Sequence, residues 1–341
     1  MNSIIVQMNL RLMQLSSRKN NLLILLGLVM FGCSDEMKQP EEIIQPSAGI
    51  IENYDRFDPS LNGFIYADFE QMRNDPAYHE VSAWLGNSKI NIGETRIDKY
   101  KKLLSDFEIN QLDDFNTIQI AVYNSENSTD YAAIIKGSFD NSIVKKKATS
   151  AGFKSPVMVN NSIWLFNENN RLFIRFVRTN EIELTTKPEL FVNEGSASLK
   201  VSRMMKENFP HLAVRNHMLY YFGLPENLSE KVEKFNKEEG FSEKEFSITF
   251  DEDAPSYFKG ILYFDHGVKS RNILGFNTEK SLLTASGLMK MLLGYITVKT
   301  FMNNETSIAE FIDVSKQDST LQFDLILPDE KISKLYTKEK K

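Results

Sequence analysis

The sequence is poor in the residues that build covalent or metal-held folds. Its 341 residues include one cysteine, Cys33, so no intramolecular disulfide can form. The four histidines are scattered along the chain, and five residues separate the nearest pair, His211 and His217. No HExxH, GxSxG, Walker or GxGxxG motif occurs. The remaining histidines are His79 and His266. The sequence therefore predicts no metal and no cofactor.

Acidic residues are absent from the first 34 positions. Three basic residues are followed there by an apolar run, residues 22–31, and by the small residue Gly32. This is the order of n-region, h-region and cleavage site in a secretory signal. A helix that spans a membrane needs about 20 apolar residues, and this run is shorter. We therefore expect residues 1–32 to be removed, with translation starting at Met1 or, for a more usual signal length, at Met13.

The end of this signal resembles the lipobox of bacterial lipoproteins. Met30, Phe31, Gly32 and Cys33 occupy its four positions, and the glycine and the cysteine match its common form. The resemblance implies that Cys33 is diacylglyceryl-modified, becomes the first residue of the mature protein and is then N-acylated, with palmitate among the acyl chains. Two or three acyl chains give stable anchoring without a membrane span.

The residues after Cys33 resemble a sorting signal. In many bacteria an aspartate directly after the lipidated cysteine retains a lipoprotein in the inner membrane, whereas this chain has Ser34 there. Ser34 followed by Asp35 and Glu36 also resembles a surface-export signal. The resemblance implies the outer membrane, with either the surface or the periplasmic face exposed.

For residues 33–60 the sequence predicts a lipidated cysteine followed by a flexible acidic tether. After Cys33 this segment has three prolines and seven acids against two basic residues, a composition that does not bury enough apolar surface to order itself. About 25 residues of flexible chain reach roughly 25 to 30 Å. The alternative, that isoleucines of this segment dock on the body, stays open.

The charge balance argues against nucleic acid as a partner. Without residues 1–32 the chain has 37 basic and 46 acidic residues, a net charge of −9. Nucleic-acid affinity depends on basic residues that neutralise phosphates. The one basic run, residues 145–147, has the pattern of a solvated helix face. The predicted partners are the membrane, through Cys33, and an envelope protein or glycan.

From residue 61 on, strand and helix patterns alternate, which predicts an α+β fold of antiparallel sheet with packed helices. The first half begins with a strand and a helix, continues with a hairpin, and has a helix that stops at a glycine before three further strands. Asparagine pairs at residues 160–161 and 169–170 predict tight turns, because asparagine tolerates positive φ. The corresponding segments are "GFIYADF", "EQMRNDPAYHEVSAWL", "TIQIAVYN", "YAAIIKGSF", "DNSIVKKKATSAG", "SPVMVNN", "SIWLFNE" and "RLFIRFVRT".

The second half has a similar order of elements. "HMLYYFGLP" and "ENLSEKVEKFNKEEG" predict a strand and a helix, and "FSITFDED" with "YFKGILYFD" predict a hairpin. The closest local match is residues 131–140 against residues 257–265; each opens with tyrosine and ends on Phe-Asp. We predict two similar repeats, residues 61–205 and 206–341. Over most of its length the body resembles uncharacterised secreted or lipid-anchored bacterial proteins with two α+β repeats.

One apolar segment, residues 281–302, is long enough to cross a membrane. Lys290 lies near its centre, where a lysine costs about 2.5 to 3.5 kcal/mol on insertion scales. Apolar residues recur at helical spacing, which favours a core helix with one buried face. The residues of that predicted face are Leu288, Met291, Leu292, Tyr295, Val298 and Met302.

No acid pair in the sequence predicts catalysis. Asp113 and Asp114 are adjacent before a strand and are expected to cap a turn. Residues 251–255, "DEDAP", lack the glycine and the closing glutamate of a calcium loop. We expect the acids to lie mostly at turns and on charged helix faces, in contact with solvent. The favoured function is non-enzymatic binding in the cell envelope; the alternatives are a hydrolase with dispersed carboxylates and an apolar-ligand carrier.

Overall fold

The computed structural model describes residues 56–87, 114–124, 129–192, 217–224, 255–302 and 307–336. Cys33, the predicted signal and residues 34–55 lie outside these ranges, and so does the predicted repeat boundary at residues 205 and 206. In the described ranges twelve strands form one sheet in which all neighbouring strands are antiparallel. The predicted antiparallel sheet is confirmed, with strands more prominent than helices.

The described residues form twelve strands, five α-helices and two short 3₁₀ turns. The strands are β1 (Gly63–Asp68), β2 (Phe115–Asn124), β3 (Thr129–Gly137), β4 (Ser155–Val159), β5 (Ser162–Asn167), β6 (Leu172–Arg178), β7 (Glu181–Thr185), β8 (Met218–Gly223), β9 (Tyr257–Phe264), β10 (Gly267–Gly275), β11 (Ile312–Gln317) and β12 (Thr320–Pro328). The α-helices are α1 (Phe69–Met72), α2 (Pro76–Asn87), α3 (Asn141–Ser150), α4 (Glu279–Met302) and α5 (Asp329–Tyr336). Short 3₁₀ turns occupy Pro188–Leu190 and Ile308–Phe311.

The sheet order is β11-β12-β10-β9-β8-β1-β2-β3-β7-β6-β5-β4. Strands β1 and β8 pair in register, with Gly63 opposite Phe222 and Ala67 opposite Met218. The first seven strands therefore lie on one side of this pairing and the last five on the other. Both halves of the chain contribute to one continuous sheet.

Each half follows a related order outward from the centre. One side has β1-β2-β3-β7-β6 and the other has β8-β9-β10-β12-β11, with α3 after β3 and α4 after β10. The local match predicted from the sequence is nevertheless wrong. Residues 131–140 contain most of β3, the third strand from the centre, whereas residues 257–265 contain β9, the second, which is followed by β10 rather than a helix. "FSITFDED" and the helix predicted after β8 lie outside the described residues, and the duplication stays a prediction.

The helices pack on one face of the sheet, which we call the helix face. Val144 and Ala148 of α3 pack against Ile135, Ile174 and Ile182. At the other end of the sheet, Leu282 of α4 packs against strand β12, and Ile332 of α5 and Tyr78 of α2 join a further buried cluster. Alternate side chains of each strand point to this face, which explains the period-two patterns of the sequence.

The residues at the helix ends explain where helices α2 and α3 begin and where α3 stops. The predicted helix after β1 is two helices, because Pro76 fits the first position of α2 and disfavours helix in the residue before it. Helix α3 starts as predicted, with Asp140 accepting a hydrogen bond from the Ser142 backbone N–H at 2.7 Å. Hydrogen bonds from the Ser142 side chain and, second, from its backbone N–H hold the pKa of Asp140 below its usual value. The helix is followed by Gly152 at φ +99°, which confirms the predicted glycine stop.

Of the two turns predicted from asparagine pairs, the first is confirmed and the second has a different residue in the left-handed conformation. Asn160 and Asn161 have φ of 50° and 59° and join β4 to β5. In the next turn it is Arg171, with φ of 51°, that has the left-handed conformation. Asn167 stabilises that turn instead, because its side-chain oxygen accepts a hydrogen bond from the Asn170 backbone N–H at 3.1 Å.

The second face of the sheet is covered in part by the segment that the sequence assigned to the tether. Phe57 is 1% exposed and forms a β-bridge with Phe191. Phe57 and Leu61 pack with Phe64 and Trp164 in one core cluster. The predicted tether boundary at residue 60 is therefore wrong, because residues from Arg56 on belong to the folded body.

Candidate functional site

Strand β7 carries two buried glutamates that the sequence analysis missed. Glu181 is 1% exposed and Glu183 is 0% exposed. They are two residues apart on one strand, so both project from the second face of the sheet. The expectation that the acids stay in contact with solvent is wrong here. The alternation of Glu181, Ile182, Glu183 and Leu184 is a strand signal that places both glutamates on one face, but it does not indicate that this face is buried.

Cations surround both carboxylates. Arg56 donates from Nη1 to Glu181 Oε1 at 2.6 Å and from Nη2 to Glu183 Oε1. Arg175 Nε donates to Glu183 Oε2, and Lys136 Nζ lies 3.6 Å from Glu181 Oε2. We call these five residues the buried charge network. It ties the start of the folded body to β3, β6 and β7.

The buried charge network is built for structure rather than for proton transfer. Burial alone would lower the pKa of Arg56, but the carboxylates of Glu183 and Glu181 outweigh it and raise that pKa above its ordinary value. Arg175 is also held in place, because its guanidinium carbon lies 4.8 Å from the centre of the Trp164 ring. A general acid or base must reach a substrate, whereas these carboxylates are buried and each contacts two cations.

The other candidates from the sequence do not assemble into a catalytic or metal site within the described ranges. Asp114 lies in the turn before β2, and its backbone oxygen accepts a hydrogen bond from Ser138 N at 2.7 Å. His217 is buried and its Nδ1 accepts from the Phe264 backbone N–H at 2.9 Å. His79 contacts the Arg73 backbone oxygen at 3.0 Å. No group of three His, Cys, Asp or Glu side chains there could hold a metal ion. Asp113, His211 and residues 251–254 lie outside those ranges.

Helix α4 is attached to the body through its first three turns. Leu282 and Ser286 are 3% and 4% exposed. Leu282 packs against Leu321 and Phe323 of β12, and Met289 is partly buried against the same cluster. At its start, the Thr278 hydroxyl accepts a hydrogen bond from the Ser281 backbone N–H at 3.2 Å. One side of this part of α4 packs on the body, which agrees with the predicted contact between the helix and the sheet.

Beyond these turns α4 exposes apolar residues. Met291, Val298 and Met302, predicted to form the buried face, are 52%, 59% and 75% exposed, so that prediction is wrong for them. The side chains of the other residues of that predicted face lie outside what the structure describes; they are Leu288, Leu292 and Tyr295. At 100° per residue they lie on one stripe with three neighbours, on the side of α4 away from its attachment. A Cβ added at either glycine of this stripe would meet no atom within 4 Å. We call this set the exposed stripe: Leu283, Gly287, Met291, Gly294, Val298 and Met302.

By length and composition, residues 279–298 of α4 could cross a membrane, and 20% of this stretch is buried. It is the one such helix in the part of the chain that the structure describes. A core helix would be mostly buried, and an ordinary surface helix would have polar residues on its outer side. The exposed stripe is therefore the candidate functional surface.

Comparisons with known proteins give no family for this chain. No protein family and no curated protein matches its sequence. Crystal form III of TP0453, a Treponema protein, aligns with a TM-score of 0.44 and 8% identity, covering 82% of this chain and 96% of that chain. Crystal form I aligns with a TM-score of 0.42 and 10% identity, covering 81% and 96%. A likeness at this level carries no argument about function.

Proposed function

We propose that this protein is a lipid-anchored protein of the bacterial outer membrane whose body acts by binding rather than by catalysis. The exposed stripe of α4 is the observation that carries the binding role. Contiguous apolar surface at the outside of a helix is typical of an interaction site. The signal-like residues 1–32 and the lipobox-like residues up to Cys33 support the anchor.

The buried charge network favours binding over hydrolysis. A glycosidase of the dispersed type needs two carboxyl groups about 5 to 10 Å apart, facing each other around a substrate. Glu181 and Glu183 are the buried acid pair of the described sheet, and their oxygens face Arg56, Arg175 and Lys136. Using either as a catalytic acid would require dismantling the packing that holds the start of the body.

Metabolic labelling tests the anchor. Cells that express the wild-type chain and are fed a labelled fatty acid should label it, whereas Cys33→Ser should remain an unlabelled precursor. Ser34→Asp is the matched control, since it keeps the cysteine and changes only the sorting position. It should be labelled normally but move from the outer-membrane fraction towards the inner. A labelled Cys33→Ser protein, or a mature wild type starting elsewhere, would exclude this anchor.

An activity panel tests the binding role. The mature chain from Ser34 should not hydrolyse glycan, peptide or ester substrates above the rate of the buffer alone. If turnover is found, Glu181→Gln, Glu183→Gln and exposed Glu310→Gln should be compared. Turnover that one buried substitution abolishes in a protein that is still folded by circular dichroism, while the exposed control preserves it, would replace the binding proposal with an enzymatic one.

A further inference from the structure

We infer that the exposed stripe of α4 lies in the interface of a lipid bilayer, parallel to the membrane plane. The inference rests on the proposed function for the identity of that membrane, which is the one that holds the acyl chains on Cys33. It adds a second, non-covalent membrane contact, made by the body itself.

The stripe has the dimensions of an interfacial contact. Its six residues fall within an arc of about 100° when successive residues are placed 100° apart. Leu282, Ser286 and Met289 fall on a different side and pack toward the sheet. The helix thus has one side for the body and another that faces outward. The outward side begins with the exposed Lys280 and Thr284 and is apolar beyond them. Interfacial helices bury such a side about 5 to 10 Å into the headgroup boundary.

The same packing argues against a membrane span. Because Met289 is still in contact with the body, the part of α4 beyond it is residues 290–302. Thirteen residues of helix are about 20 Å long, whereas the hydrocarbon core is about 30 Å thick. Crossing would require Leu282 and its neighbours to leave β12. Lying on the surface requires no change in the fold.

The charge of α4 favours lipid headgroups over a protein groove. After Glu279 the helix contains Lys280, Lys290 and Lys299 and no acid. Lys290 is exposed, and its position is beside the stripe. The chain as a whole is negative, so α4 is a locally basic element on an acidic body. Each lysine near an anionic membrane surface strengthens binding about fivefold.

The predicted anchor keeps this surface near the bilayer. Residues 34–55 separate Cys33 from Arg56, which the buried charge network fixes to the sheet. As the flexible tether that the sequence predicts, 22 residues would have a root-mean-square span of about 25 Å. The body is then confined to within one helix length of the membrane. A weak contact by α4 becomes effective at such a high local concentration of lipid.

A fluorescent probe on α4 tests the inference without the acyl anchor. The mature chain from Ser34 contains no cysteine and keeps all the described residues, so Met291→Cys gives one labelling site. Ile143→Cys on α3 is the matched control, because the two native side chains are 52% and 51% exposed. Each variant carries an environment-sensitive dye and is titrated with phosphatidylcholine vesicles, with and without phosphatidylglycerol.

The dye at residue 291 should shift to the blue with anionic vesicles and be quenched by lipids that carry a quencher in the acyl chain. The dye at residue 143 should do neither. Lys290→Gln should weaken vesicle binding about fivefold, and high salt should weaken it as well. Val298→Glu, at an exposed position that leaves the core intact, should weaken it about tenfold or more.

Three results would overturn the inference. They are no response at residue 291 to either vesicle type, equal responses at residues 291 and 143, or burial of residue 291 that depends on protein concentration and needs no vesicles. The last would assign the stripe to a second copy of the chain. Because this chain carries no lipid, none of these results affects the fatty-acid labelling of Cys33, which tests the proposed function separately.

Discussion

Removal of Arg56 should be among the most damaging single changes in the body. Arg56→Met keeps most of the side-chain volume but leaves Glu181 with Lys136 at 3.6 Å and Glu183 with Arg175 alone. Removing one partner from a buried ion pair typically costs about 3 to 5 kcal/mol. Because a cation remains beside each carboxylate, we expect about 3 kcal/mol. With a urea m-value of about 3 kcal/mol per M, the unfolding midpoint falls by about 1 M.

Lys187→Met is the matched control for this prediction. Lys187 also pairs with a carboxylate on the same sheet, Asp130 at 2.6 Å, but its side chain is 57% exposed. Such exposed pairs contribute about 0 to 1 kcal/mol. Urea unfolding of both variants, followed by circular dichroism and tryptophan fluorescence, measures the difference. Equal midpoints for Arg56→Met and the wild type, or equal losses in both variants, would refute the assignment of Arg56 to the folded body.

Further predictions concern two glycines and one acid. Gly260→Ala should destabilise the fold by about 1 to 3 kcal/mol, because its Cβ would lie 2.5 Å from the Tyr220 hydroxyl oxygen. At Gly294 an added Cβ would meet nothing within 4 Å, so Gly294→Ala should instead stabilise the fold by about 0.5 to 1 kcal/mol. Urea midpoints that move in the same direction for both variants would contradict these two predictions. Burial, and then the charge of Asp75, raises the pKa of Asp329 above 3.8. Between the unfolded pKa of Asp329 and its raised folded pKa, the folded state therefore binds more protons than the unfolded state. The free energy of unfolding falls as pH rises through this interval. Asp329→Asn should raise the melting temperature at pH 7 but not below the unfolded pKa; no gain at pH 7 in calorimetry would contradict this.

Local patterns predicted the strands and turns of the first half well. Period-two alternation located β2 and β3, and polar side chains located the start of α3. They failed for β7, whose glutamates have the composition of a surface strand. Those acids are buried because Arg56, which is 125 residues from Glu181 and 127 from Glu183 in the sequence, reaches both. No local window contains that information.

The length and apolar character of α4 could also be predicted from the sequence, but not which side of it is buried. Apolar residues occur on more than one side of this helix, so its periodicity allows several buried faces. The sequence favoured the side that includes Met291 and Val298. The structure packs the side of Leu282 and Ser286, because β12 presents Leu321 and Phe323 there.

By itself, the sequence determined the features that depend on residues close together in the chain: the signal-like residues 1–32, the lone Cys33, the net negative charge and most strands. Tertiary structure alone decided the features that depend on distant residues. It joined the two halves through β1 and β8, buried Arg56 against β7, and left the stripe of α4 facing outward. The physical reason is that burial depends on which surfaces meet. A helix or strand with more than one suitable face acquires a buried side only when the rest of the sheet is in place.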